Sequence, residues 1–388
     1  MTPLPPLALY VHIPWCVRKC PYCDFNSHAV QDSHSTREMP QQQYVDALAR
    51  DLASEMTFVG GRKLQSIFFG GGTPSLFSPD AIATIIDNAR SQIGFADDIE
   101  ITLEANPGTV EQQKFAGFRQ AGVNRISVGI QSFDPAQLKT LGRIHDSAQA
   151  LVAIDAVRNA GFDNFNIDLM HGLPDQTELQ ALADLKTALQ FSPPHLSWYQ
   201  LTIEPNTEFF RRPPILPEDD TLAAIQDAGE ALLHQHGYDH YEVSAFAQPG
   251  REARHNVNYW QFGDYIGIGA GAHGKLTTRA NAENKALTIL RRCKTRLPTH
   301  YLARTNDFVA EQNVVEPDDL VLEFLINAFR LERGVDITVF ELRTQLAREQ
   351  LTARLQDLRL RGLVANDPSS LRLTDLGRRF MNDVLTSL

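Results

Sequence analysis

From the N-terminus to about residue 245, short apolar runs alternate with amphipathic stretches. Runs of strand length cover residues 7–13, 66–69, 99–104, 125–129, 164–170 and 195–202. Between them, apolar positions recur at helical spacing over 44–56, 79–91, 111–121, 148–160 and 179–189, the pattern of helices with one buried face. Strands separated by helices are joined by right-handed crossovers and lie parallel in one sheet. About six such units predict an α/β fold, either an open six-stranded (β/α) barrel or a doubly wound sheet, and periodicity does not separate the two. In a barrel the chemistry gathers at the C-terminal ends of the strands.

Beyond residue 300 the pattern changes. Helical spacing covers 319–329, 337–348 and 351–361, and 362–364 with 371–373 reads as a short hairpin before a last helix at 374–385. Three helices and a hairpin look like a winged-helix module. Residues 314–388 hold 10 Lys and Arg against 12 Asp and Glu, without a basic stripe, so the module reads as a lid or docking domain rather than a DNA binder. The expected division is therefore 1–245, 246–300 and 301–388. A net charge of −11 argues against general nucleic-acid binding in the chain as a whole. No apolar run approaches the roughly 20 residues of a membrane helix, and the start lacks the basic flank and cleavage site of a signal peptide. A cytosolic protein without stable membrane insertion is expected.

Cys16, Cys20 and Cys23 lie within eight residues, at CxxxCxxC spacing, just after the first predicted strand. Three thiols cannot pair among themselves, and the fourth cysteine, Cys293, is 270 residues beyond Cys23. A structural zinc with His12 or His28 is the competing reading, but such sites usually pair one close CxxC with a second, which this chain lacks. A [4Fe-4S] cube normally takes four thiolates, so three local ligands leave one iron open. Polar groups at the other strand ends form a second set. Gly70-Gly71-Gly72-Thr73-Pro74 lets backbone approach a ligand and offers amides to a carboxylate. Glu104, Gln131 and Arg143 follow further along, and Asp168 ends a strand where an acid could bond a ribose diol.

These motifs together resemble the radical S-adenosylmethionine (SAM) superfamily, over nearly the whole chain. The resemblance implies the open (β/α)6 barrel, a [4Fe-4S] cluster on the three cysteines, and SAM chelating the open iron, where an electron from the cluster can cleave it. It is closest to the branches of oxygen-independent coproporphyrinogen III dehydrogenases and HemW heme chaperones. By that resemblance Tyr10, Gly71, Gly72, Thr73, Glu104, Gln131, Arg143 and Asp168 contact SAM, and Tyr22 packs on its adenine through its backbone. Whether one or two SAM molecules bind stays open.

The dehydrogenases carry a fourth cysteine two residues after the third, where this chain has Phe25, and an N-terminal arm that this chain does not show before its first strand. The run His255-Asn256-Val257-Asn258-Tyr259-Trp260 instead matches the HNxxYW mark of the chaperone branch, where it is associated with heme. An imidazole is a common axial ligand and the aromatics offer faces for a macrocycle, so His255 is the candidate heme ligand and His273 the second. The alternative is that His255 and Asn256 are buried hydrogen-bonding groups. The resemblance thus implies heme delivery to an acceptor protein, without dedicated turnover and with no catalytic residue assigned. It also implies an electron donor such as flavodoxin or ferredoxin. The enzyme alternative is oxidative decarboxylation of coproporphyrinogen III. Cys293 reads as an incidental thiol, and 28–43 as a mobile loop covering the cluster.

Overall fold

The computed structural model describes residues 3–30, 39–108, 112–279 and 287–388. The predicted strands appear as β1 (Leu7–Ile13), β2 (Leu64–Gly71), β3 (Phe95–Ala105), β4 (Arg125–Gln131), β5 (Phe165–His171) and β6 (His195–Gln200), each parallel to the next in chain order. This is the partial (β/α)6 barrel that the resemblance implies and that the alternation leaves open beside a doubly wound sheet. The sheet then grows at both ends. On the far side of β6 the antiparallel strands β7 (Asp239–Glu242) and β8 (Ala245–Ala247) are added, β8 next to β6. Beside β1 lies β9 (Asp264–Ile268), also parallel, followed by antiparallel β10 (His273–Arg279), β11 (Leu287–Lys294) and β12 (Val309–Val314). The resulting twelve-stranded order is β12-β11-β10-β9-β1-β2-β3-β4-β5-β6-β8-β7.

The inner strands are apolar on both faces, as buried parallel strands must be. Leu7, Leu9, Val11 and Ile13 of β1 are fully buried, as are Ile126, Val128 and Ile130 of β4. Helices cover the outer face. Gln41–Ser54 buries Tyr44, Val45, Leu48 and Leu52, and Pro79–Gln92 starts at the Ser78 cap with proline in its first turn. Capping boxes begin Ser147–Asn159 (Asp146 with Gln149) and Glu178–Leu189 (Thr177 with Gln180). The predicted helix 111–121 shortens to Phe115–Gln120, and residue 111 lies outside the described residues. Asp219–Gln235 is a helix that the pattern reading passed over. It buries Ile225, Gly229 and Leu233, and the Trp198 ring fills the space a Cβ on Gly229 would take.

A second core gathers Leu320 and Phe324 of Pro317–Ala328, Phe340 of Ile337–Thr344, and Leu351, Leu355 and Leu358 of Arg348–Leu360. Phe262, Tyr241 and Ala245 from the sheet side join it. The predicted hairpin is reduced to a bridge between Val364 and Leu373, and the two-residue strands Val335–Asp336 and Ser370–Leu371 pair beside it. The expected last helix breaks at Phe380 into Asp375–Arg379 and Met381–Thr386. Part of the expected loop 28–43 lies outside the described residues. His28–Ala29 is a short strand and Gln41 already begins a helix. Among the described residues no helix is long and apolar enough to cross a membrane.

Candidate cluster and cofactor site

The cysteine loop springs directly from the end of β1. Trp15–Cys16 pairs in parallel with His28–Ala29, closing the loop at its base, and the Cys23 amide donates to the Cys20 carbonyl at 3.2 Å. All four cysteines are free thiols. Burial pushes the Cys16 thiol up to about 11 and raises Cys23 as well. Metal binding must therefore displace the protons. The glycine loop after β2 braces the cysteine loop. The Gly72 amide donates to the Ile13 carbonyl and the Thr73 amide to the Trp15 carbonyl, each at 2.7 Å. A Cβ on Gly72 would overlap the Trp15 carbonyl oxygen, so glycine is required for this close approach. This revises the expectation for the loop's amides. Those of Gly72 and Thr73 hold the cysteine loop, and that of Gly71 meets the Glu104 carboxylate.

Cys16, Cys20 and Cys23 line one cavity of about 320 Å³ together with Tyr22, Gly71, Gly72, Thr73, Glu104, Gln131, Arg143 and Asp168. Six separate strand ends and loops converge there. Arg143 is the hinge between the two sets: it reaches the Cys20 sulfur at 3.7 Å, the Asn106 side-chain carbonyl at 2.6 Å and the Gly129 carbonyl at 2.5 Å. Asn106 in turn donates to the Thr73 hydroxyl at 2.9 Å. A guanidinium beside a Cys20 thiolate would offset part of its charge. Gln131 ends β4 at a bulge with φ of 72°, held by the Tyr199 hydroxyl at 2.8 Å. A non-glycine residue in that region marks local strain of the kind found at binding sites.

Glu104, Asp168 and Glu242 bring three carboxyl groups to the cavity lining. Burial, then the neighbouring Asp168, raises Glu104 to about 8. Burial likewise raises Asp168, against hydrogen bonds from Ser127, Ser197 and Asn166. Asn166 donates to Asp168 at 2.7 Å, and Ser127 donates to its other oxygen at 2.8 Å. Behind Asn166 a buried chain continues. The Asn166 side-chain carbonyl meets His195 Nδ1 at 2.6 Å, His195 Nε2 meets the Tyr241 hydroxyl at 2.9 Å, and Asn256 donates to that hydroxyl at 3.1 Å. Asn256 belongs to the HNxxYW run, which forms the helix Arg254–Trp260.

His255 lies on the same helix and is buried, its Nδ1 2.9 Å from a Glu100 oxygen and its ring stacked on Phe68 at 4.3 Å between centroids. Tyr259 and Trp260 instead line a second cavity of about 780 Å³, with Phe68, Tyr265, His273 and Cys293. Tyr10 lines this second cavity too, rather than the first, and its hydroxyl bonds His12 Nδ1 at 2.8 Å. Phe25 is shared by both cavities.

Residues 10–188 match the radical SAM superfamily and residues 315–380 the HemN C-terminal domain. The chain is 47% identical to the heme chaperone HemW of Escherichia coli over 385 residues, 99% of this chain and 98% of that one. It is 31% identical to the Bacillus subtilis heme chaperone HemW, covering 97% of each. The chain belongs to the HemW family. Its fold is also that of E. coli coproporphyrinogen III oxidase, HemN, a radical SAM enzyme, with a TM-score of 0.79 at 24% identity over 99% of this chain and 90% of that one.

The sequence reading of this HemW-family chain missed Asn106, Ser127, Asn166 and Tyr199. The first three stand beside residues that it singled out. Asn106 follows Glu104 by two positions and Asn166 precedes Asp168 by two, the spacing that puts side chains on one face of a strand. Tyr199 had no such signal. It reaches Gln131 only because β6 crosses over two strands away.

Proposed function

We propose that the chain is a heme chaperone that holds a [4Fe-4S] cluster and SAM in the smaller cavity and passes heme to an acceptor protein. The observation that carries this reading is the convergence of three free thiols with Arg143, Glu104 and Asp168 on one cavity that adjoins an aromatic-walled second cavity at Phe25. The donor set fits the groups. Three cysteines leave one iron of a cube open, and Asp168, oriented by Asn166 and Ser127, suits a ribose diol. When bound, the cluster supplies an open iron and an electron. Arg143 offsets thiolate charge, Glu104 and Gln131 meet the polar end of SAM, the Gly71-Gly72-Thr73 turn fixes the cysteine loop, and Tyr22 backs the adenine. Tyr10 acts from the neighbouring cavity, across Gly70, where a Cβ would lie 3.2 Å from both Tyr10 and Glu104.

Phe25 favours the chaperone over the dehydrogenase alternative. It is 59% exposed and puts an apolar ring where the dehydrogenases carry a thiol. His255 is proposed to steady the helix that presents Tyr259 and Trp260: it is buried with its Nδ1 on Glu100 and does not itself line the larger cavity. Residues 1–245 are proposed as the cofactor barrel, 246–300 as the heme-facing segment and 301–388 as a lid or docking domain, in a cytosolic protein served by a flavodoxin- or ferredoxin-like donor. Incubating cluster-loaded protein with coproporphyrinogen III, SAM and reductant tests the reading. Heme binding without protoporphyrinogen is expected, and sustained protoporphyrinogen formation replaces the chaperone with the enzyme.

A further inference from the structure

We infer that heme occupies the larger cavity with its iron on the sulfur of Cys293, and that His273 accepts the thiol proton. This rests on the chaperone reading and assigns it a site. The placement follows from sheet register. β10 and β11 are antiparallel with His273 directly opposite Cys293, so the two side chains leave the same face side by side, as cross-strand pairs do. Cys293 Sγ lies 3.0 Å from His273 Nδ1 and 3.8 Å from Nε2. Both residues line the cavity, His273 exposed and Cys293 partly so.

The remaining walls suit a flat apolar guest. Phe68, Tyr259, Trp260 and Tyr265 face the cavity, and its volume of about 780 Å³ lies within the range of roughly 300–1,000 Å³ typical of cofactor-sized ligands. Arg296 at the rim, donating to Asn26 at 3.4 Å, is the cation available to a propionate. Glu311 stands on the Cys293 side, opposite it in register, and turns propionates away from that edge. The arrangement also separates the two sulfur sites. Cys293 lines the larger cavity and not the smaller, whereas Cys16, Cys20 and Cys23 line the smaller and not the larger.

The step needs no oxidant. The S–H bond breaks, a sulfur–iron bond forms with the sulfur electron pair, and the proton passes to His273 Nδ1 and on to solvent. His273 Nδ1, 3.0 Å from the sulfur on the facing strand, is placed to receive that proton.

The experiment is an anaerobic titration of ferric heme into cluster-loaded protein, followed by absorbance and by the ferrous carbonyl spectrum. Wild type and His255→Ala are expected to show a thiolate-ligated heme, whose carbonyl Soret band lies well to the red of an imidazole-ligated one. Cys293→Ala is expected to lose that signature while keeping its cluster iron, which reports correct folding, and Cys293→Ser to do the same with a smaller change in shape. His273→Ala is expected to keep the signature but bind about ten- to hundredfold more weakly at pH 7. Stoichiometric binding with an unchanged spectrum in Cys293→Ala overturns this assignment and leaves the chaperone reading standing. No stoichiometric heme in wild type overturns both.

Discussion

Glu104 offers a quantitative check on the site because its protonation is tied to folding. Its carboxyl is buried at the end of β3 and raised from 4.5 to about 8, first by burial and then by Asp168. The folded protein therefore keeps this proton over a window in which the unfolded chain has lost it. Stability must fall as pH rises between about 4.5 and 8, and level off above. Each tenfold difference in proton affinity between the folded and unfolded chain corresponds to about 1.4 kcal/mol. Between pH 6 and 8 the wild type should lose about 2 kcal/mol from this group alone, after allowing for partial ionisation near the midpoint. Glu104→Gln keeps the shape and removes the titration. Asp168 is present in both proteins, so its own titration largely cancels in the comparison. Denaturant unfolding of the two proteins at matched cluster content, at pH 6, 7 and 8, should show their free-energy difference moving by about 2 kcal/mol in favour of Gln as pH rises. Two curves that stay parallel across this range would refute the placement of an uncharged carboxyl at this strand end.

Replacing Cys16, Cys20 and Cys23 together by Ala should abolish bound iron and sulfide after anaerobic reconstitution, while Cys293→Ala should retain both; stoichiometric zinc without iron would reject the cluster. Asp168→Ala removes a charge-assisted acceptor, and SAM affinity read from the reduced cluster's electron paramagnetic resonance should weaken about ten- to hundredfold. Gly72→Ala drives a methyl group into the Trp15 carbonyl, so cluster occupancy should fall through displacement of the cysteine loop, and full iron content in that variant would show the contact to be slack.

The parallel run was readable because each strand carries a short apolar run and is separated from the next by helices, some with clear caps, as at Asp146 and Thr177. The flanking strands were not. β9 carries Gly267 and is joined to β10 by a turn through Gly269 and Gly271, and Gly267 and Gly269 allow the backbone to pass against His273 and His12. The cysteines and the acids at strand ends were legible as types of residue at telling positions. Their division between two cavities was not, since Tyr10 sits on a parallel strand, as Glu104, Gln131 and Asp168 do, and yet lines the larger. His255 shows the same limit. Its motif singled it out, but only the fold reveals that Glu100, 155 residues away, holds its ring.

The buried line from Asn256 to Asp168 has a direction. Asn166 donates through its amide to Asp168, so its carbonyl can only accept, and His195 must carry its proton on Nδ1. Nε2 is then bare and accepts a hydrogen bond from the Tyr241 hydroxyl, leaving that oxygen to receive one from Asn256. Every donor along the line points toward the carboxylate, and burial keeps His195 from gaining a second proton that would break the sequence. No member can reverse alone, because each reversal sets two donors or two acceptors face to face. The HNxxYW helix and the floor of the smaller cavity are thus coupled like links of a chain under tension, which hold or give together.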